Sequence, residues 1–288
     1  MNSYILRPLR LFFAITSRTM PTLAVRVAER LFTRVPYSKR RDNEIELLDT
    51  AEKFTIAMQD GHELAAYRWG ASGDPIILFV HGWTATATCF MRFIDHFVSN
   101  GYQVVSYDAI GHGGSTGTHA ALPVWADSVV EVNRHIGHVD TIIGHSLGSA
   151  AVIISLSGDL DTDRIVLLSP ATSALKIITQ FASAMAIPAK VKDMFSNYLW
   201  EQYKFSAAKY GKNWEDIFLT DNKVPTLVIH DRNDKEVGIE HARWLAQRWP
   251  KAKVVETERL GHRRILLSMK VISHVSDFIQ NSPAKIRV

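Results

Sequence analysis

From Glu52 onward the chain alternates short apolar runs with amphipathic stretches, and few architectures accommodate that pattern. The runs 75–80 (PIILFV), 103–107 (QVVSY), 140–143 (DTII), 165–168 (IVLL), 226–229 (TLVI) and 252–256 (AKVVE) have the length of buried strands. Between most of them lie helical patterns at 89–98, 124–136, 148–157, 239–248 and 265–279. Such alternation predicts a mostly parallel sheet with helices on both faces. Ahead of it, 54–58 and 62–68 flank Asp60-Gly61, a hairpin signal that adds an antiparallel edge.

The alternation fails between residues 171 and 222. Two helical stretches, about 173–186 and 189–203, are separated by Pro188 and followed by a tail with Tyr210, Trp214 and Phe218. An insertion of this length between core strands reads as a helical cap on a domain spanning 52–288. It carries Phe181, Met185, Met194, Phe195, Tyr198, Trp200 and Tyr203. Most of these are expected to pack the cap itself, and some to line an apolar pocket, since ligand sites are largely apolar.

Residues 1–51 form a leader of different character. Its first 41 residues hold nine Lys/Arg against one acid, Glu29, whereas the remainder holds 24 basic and 28 acidic residues. The formal charge of +4 therefore resides in the leader. A body with no positive excess is a poor match for phosphates, which excludes nucleic acid as its partner. The run Leu11-Phe12-Phe13-Ala14-Ile15 is too short to span a bilayer or to serve as the core of a secretion signal, and Arg7 and Arg10 interrupt it. These features point to a cytoplasmic protein. After Pro21, Arg26, Arg30 and Arg34 recur on one side, with Ala24, Val27, Ala28 and Leu31 opposite, as in a basic amphipathic helix. Three readings stay open for it: a peripheral contact with anionic lipid, a helix docked on the body, and a targeting segment. Cys89 is the single cysteine, so no internal disulfide and no thiolate metal site can form.

The chemistry is concentrated in one turn. The strand run at 140–143 leads into Gly144-His145-Ser146-Leu147-Gly148 and then into an apolar helix. G-x-S-x-G between strand and helix is a nucleophile elbow, a turn so tight that it holds the serine in a strained, exposed conformation. A serine hydroxyl needs a base to take its proton and a third group to orient that base. Of 12 histidines, only His262 sits in a loop after the last strand run with a glycine, Gly261, before it and an amphipathic stretch behind, His274 lying within that stretch. In a parallel sheet the loops at the strands' carboxyl ends converge, so His262 can reach Ser146. The acid is expected after the run at 226–229, where both Asp234 and Asp231 are candidates. Two backbone N–H groups are expected to stabilise an oxyanion: that of Leu147, at a helix N-terminus, and that of Trp83, in the loop His81-Gly82-Trp83.

These residues resemble the α/β-hydrolase family. The resemblance runs from about residue 52 to the end and is carried by HGW (81–83), YDAIGHGGS (107–115), GHSLG (144–148), VIHDRND (228–234) and GHRR (261–264). It implies an eight-stranded, mostly parallel sheet with a short helical cap, a triad of Ser146, Asp234 and His262, an oxyanion hole from Trp83 and Leu147, and no cofactor or metal. Asp231 stands where the family more usually has glycine, and Asp108 and His112 match positions that are usually structural. Within the family the chain is similar to the lysophospholipase and monoglyceride-lipase-like branch. The implied activity is hydrolysis of a small-molecule ester through an acyl-enzyme. Thioester or C–C bond hydrolysis by the same triad, and a non-catalytic ligand-binding role, are the alternatives.

Overall fold

A computed structural model describes residues 3–158 and 160–282. Its centre is one eight-stranded sheet: β1 (Glu52–Ala57), β2 (Glu63–Trp69), β3 (Ile76–Val80), β4 (Gln103–Tyr107), β5 (Val139–His145), β6 (Thr162–Leu168), β7 (Thr226–Asp231) and β8 (Ala252–Thr257). The order across the sheet is β1-β2-β4-β3-β5-β6-β7-β8. β2 pairs antiparallel with β1 and β4, and every other pairing is parallel. The hairpin expected at Asp60-Gly61 is present: Gly61 takes φ +86° and the Asp60 carboxylate accepts the N–H of His62 at 3.1 Å.

Central and edge strands differ as burial requires. β4 and β6 are buried along their whole length, while β1 and β8 keep Glu52, Lys53 and Lys253 exposed. Charges at the edges discourage pairing with another chain.

In chain order the helices are α1 (Ser3–Thr19), α2 (Pro21–Thr33), α3 (Asp42–Asp49), α4 (Met91–Ser99), α5 (Leu122–Ile136), α6 (Leu147–Ser155), α7 (Ala174–Ala184), α8 (Ala189–Ala207), α9 (Glu240–Arg248), α10 (Gly261–Arg264) and α11 (Met269–Asn281). The single helix expected over 265–279 is in fact broken. Ser268 is extended (φ −85°, ψ 117°), and the Leu267 carbonyl turns away to accept from the Arg92 guanidinium at 3.1 Å. The buried face of α11 begins at Val271, Ile272 and Val275, so Ile265 and Leu266 reach the core from a separate turn.

The chain divides into two compact units. One comprises Val35–Thr172 and Thr220–Val288 and contains the sheet. Its core includes Phe79, Phe90, Phe93 and Phe97, with the Phe79 and Phe90 rings 4.6 Å apart. Arg40, one of the basic residues near the N-terminus, belongs here. Its guanidinium pairs with the buried Asp108 carboxylate and donates to the Tyr67 hydroxyl at 3.2 Å. Asp108 also accepts the N–H groups of Ala87 and Gly114, each at 2.8 Å, and so ties the loops after β3 and β4 together.

The other unit comprises Met1–Arg34 and Ser173–Leu219, and its regular elements among the described residues are helices. α2 packs along α8 with Ala24, Val25 and Ala28 buried, and Arg26, Arg30 and Arg34 face solvent. Phe32 meets the rings of Phe181 and Phe195 at 5.1 and 5.5 Å. Trp200 meets Trp214, whose indole N–H donates to the Ser196 carbonyl at 3.0 Å. The aromatic residues of this region thus hold the helices together. No helix among the described residues is long and apolar enough to cross a membrane.

Candidate active site

The turn between β5 and α6 forces Ser146 into φ +55°, ψ −120°, a conformation that L-residues adopt only under strain. The turn can be this tight because its flanks lack side chains. A Cβ on Gly144 would lie 2.7 Å from the Ser149 Cα, and one on Gly148 would strike the Val80 and His81 carbonyls. Gly82 in turn lets the loop after β3 lie against Ser146, since a Cβ there would sit 2.9 Å from the Ser146 Cβ.

His262, at the start of α10, is brought to this serine from 116 residues away. Its Nε2 lies 2.8 Å from Ser146 Oγ and its Nδ1 lies 2.7 Å from Asp234 Oδ2. A carboxylate can only accept, so Nδ1 carries the proton and Nε2 presents a lone pair to the serine hydroxyl. Asp234 also accepts the N–H groups of Glu236 and Val237 through its other oxygen, at 2.8 and 2.9 Å. Burial disfavours its charge, but the bonds from His262, Val237 and Glu236 outweigh that and hold its carboxyl down to about 2.

Asp231 occupies a different position. It is fully buried, and accepts the Asn233 N–H at 3.0 Å, the Thr257 hydroxyl at 2.9 Å and the Leu260 N–H at 3.0 Å. Burial opposes its ionisation, yet these donors and the Gly261 N–H keep its carboxyl below the usual range. It fastens the loop that carries His262, whereas Asp234 contacts the imidazole.

The N–H groups of Trp83 and Leu147 face no acceptor among the described residues. Trp83 is half-buried, with its ring 5.5 Å from His112 and 6.3 Å from Trp125. No group of three or more His, Cys, Asp or Glu is gathered to hold a metal ion among the described residues.

Comparison with known proteins bears on the fold and the relatives of the chain. A family model described as "Serine aminopeptidase, S33" matches residues 71–209. The Pyrococcus furiosus esterase Pf2001 superposes with a TM-score of 0.65 over 86% of this chain and 98% of its own, at 20% identity. The chain has the α/β-hydrolase fold. Among curated relatives, the bifunctional esterase/perhydrolase DCH of Acinetobacter calcoaceticus is 27% identical over 151 residues, covering 51% of this chain and 54% of the relative. The Bos taurus protein ABHD8 is 22% identical over 213 residues, covering 62% and 49%. The chain thus spans about half the length of the curated relatives it matches.

Three further histidines frame the site, and the sequence gives them no spacing signal. His145 donates from Nε2 to the His262 carbonyl at 2.9 Å, with the two rings 4.9 Å apart. His230 donates from Nε2 to the Val237 carbonyl at 2.9 Å, bracing the loop of Asp234. His81 donates from Nδ1 to the Gly82 carbonyl at 2.8 Å and accepts the Ala109 N–H on Nε2 at 2.9 Å. In a trans peptide C=O and N–H point oppositely, so holding the Gly82 carbonyl fixes the direction of the Trp83 N–H. Each ring is neutral: burial pushes His81 and His145 down to about 3 and also lowers His230. His145 ends β5, His81 directly follows β3, and His230 is the penultimate residue of β7. The signal available in the sequence was therefore a polar residue closing a run of buried apolar ones.

Proposed function

We propose that the chain hydrolyses carboxylic esters of small molecules through an acyl-enzyme on Ser146. The observation that carries this reading is the continuous relay from Ser146 Oγ to His262 Nε2 at 2.8 Å and from His262 Nδ1 to Asp234 at 2.7 Å. Ser146 attacks the ester carbonyl as its proton passes to His262. The positive charge that develops on the imidazole is stabilised by Asp234, which remains ionised at neutral pH. The N–H groups of Trp83 and Leu147 serve the tetrahedral oxyanion, and the N-terminus of α6 adds its dipole at the same place. His262 then protonates the departing alkoxide. In the second half-reaction it takes a proton from the water that attacks the acyl carbonyl, and returns it to Ser146 Oγ as the bond between the acyl carbon and Oγ breaks and the acid departs.

The esterase named among the solved structures and the esterase/perhydrolase among the relatives support the choice of esters. The test is turnover of p-nitrophenyl esters of increasing acyl length, with an aminoacyl p-nitroanilide as control, alongside labelling by a fluorophosphonate. Ester turnover and labelling that both disappear in Ser146→Ala are expected. Labelling without turnover of any ester would favour a different acyl substrate, and failure of both would overturn the serine mechanism.

A further inference from the structure

α1 and α2 each have a face that the helical unit uses and a face that it does not. Phe13 and Thr16 of α1 and Ala24, Val25 and Ala28 of α2 are buried, and α2 lies along α8. The other side is solvent-facing and unexpectedly apolar. Leu11 is 62% exposed and Ile15 54%, one turn apart on α1, and Met20 at the connection is 56% exposed. Leu23, at the start of α2, is 38% exposed. Arg7 and Arg18 are exposed four residues before Leu11 and three after Ile15, so they bracket the aliphatic pair on the same side of the helix. Arg26 and Arg30 continue the exposed cationic surface on α2.

The single acid in α1 and α2, Glu29, does not offset these charges at the surface. It is half-buried and accepts from the hydroxyls of Tyr203 and Thr33 at 3.3 and 3.4 Å. The whole helical unit carries twelve Lys/Arg against five Asp/Glu. Two copies meeting through this face would therefore repel one another. An anionic bilayer satisfies both halves of the pattern, with acyl chains for Leu11, Ile15, Met20 and Leu23 and lipid phosphates and carboxylates for the arginines.

We propose that the exposed face of α1 and α2 docks the protein on an anionic lipid surface, with the helices lying in the plane of the interface. The full-length chain is sedimented with phosphatidylcholine vesicles, with and without phosphatidylserine, at low and high salt. Binding only to the phosphatidylserine vesicles, and weakening as salt rises, is expected. Arg7→Gln/Arg18→Gln lowers the partition coefficient roughly thirtyfold, as the loss of two cationic contacts implies. Leu11→Asn/Ile15→Asn lowers it roughly a hundredfold, because two aliphatic side chains no longer leave water. All four positions are exposed, and unchanged circular-dichroism melting curves confirm that the variants fold. No binding by the parent chain, or binding by both variants equal to the parent's, overturns the proposal. Sedimentation velocity covers the remaining occupant: an oligomer that Leu11→Asn/Ile15→Asn dissolves, without vesicle binding, assigns this face to self-association and also overturns it.

Discussion

The two compact units of this chain are built from different materials. All 12 histidines and 15 of the 16 glycines lie in the unit that contains the sheet, and the helical unit has only Gly211. The charge divides the other way, with 21 basic and 24 acidic residues in the sheet unit against twelve and five in the helical one. Histidines and glycines are what an acyl-transfer site consumes, as titratable groups held neutral and as close approaches such as those of Gly82, Gly144 and Gly148 to their neighbours. Arginines beside exposed aliphatics serve no such chemistry but suit a charged interface. On the proposed readings bond-making falls to one unit and adhesion to the other, and substitutions in each should leave the other property untouched.

The largest effect is expected at Ser146. Ser146→Ala should lower kcat for a p-nitrophenyl ester by roughly 10⁶-fold, the size seen when a triad nucleophile is removed elsewhere. Ser146→Gly should be equally inactive yet more stable by ~1 kcal/mol, because glycine tolerates the positive φ at this turn. An increase in urea midpoint for Ser146→Gly over Ser146→Ala checks the second half, and equal midpoints would show that the elbow stores no strain.

Next are the two aspartates, which separate chemistry from stability inside the sheet unit. Asp234→Asn should cost about 10⁴ in kcat, since the amide no longer enforces Nδ1–H on His262. Asp231→Asn should act mainly on stability, because a neutral amide is a weaker acceptor for its buried donors from Asn233, Thr257 and Leu260. Activity assays and melting temperatures on both variants give opposite rankings if the geometry holds.

Sequence reasoning singled out Ser146 and His262 and favoured Asp234 while keeping Asp231 as a rival, and the physical reason is instructive. Both lie within four residues of the end of β7, where either can cap a turn, and only the conformation of 232–237 decides which carboxylate turns toward the imidazole. The central strands were legible because burial on both faces leaves an unbroken apolar run, as in β3 and β6. The break at Ser268 was not, because it depends on Arg92 taking the Leu267 carbonyl from 175 residues away. Nor did any pattern reveal that α2 packs with α8, or that His145 holds the His262 carbonyl across 117 residues. Tertiary bonds between distant residues have no periodicity to read.

Those buried histidines supply the third prediction. His81 and His145 titrate near 3 in the folded chain but near 6.5 when exposed. The unfolded chain therefore binds more protons below about 6.5, and stability falls as pH drops toward 3. Two such groups remove roughly 4 kcal/mol between pH 7 and pH 5, so the urea midpoint should decline over that range. Asp234 acts in a lower window: its depressed carboxyl stabilises the fold above the usual aspartate range and is lost as pH falls through about 2. His145→Gln keeps a donor for the His262 carbonyl but cannot be protonated, so it should flatten the decline while retaining most of kcat. His145→Leu should flatten it equally but lower kcat by roughly tenfold or more, as loss of an outer support commonly does. Equal kcat for the two variants would remove His145 from the support of the base.

The smallest effect is expected where the first was largest, in ester turnover, but for changes in the helical unit. Leu11 and Ile15 are exposed, so Leu11→Asn/Ile15→Asn removes little buried area, and stability should change by less than about 0.5 kcal/mol. Ser146, His262, Asp234 and the histidines around them, proposed to carry the chemistry, all belong to the other unit, so kcat and KM for a soluble ester should stay at the parent values. The reciprocal experiment closes the comparison. Ser146→Ala changes one buried hydroxyl and no charge, and should sediment with phosphatidylserine vesicles as the parent does. If Leu11→Asn/Ile15→Asn instead lowers kcat on a soluble ester, the two units share the chemistry and the division between adhesion and bond-making fails.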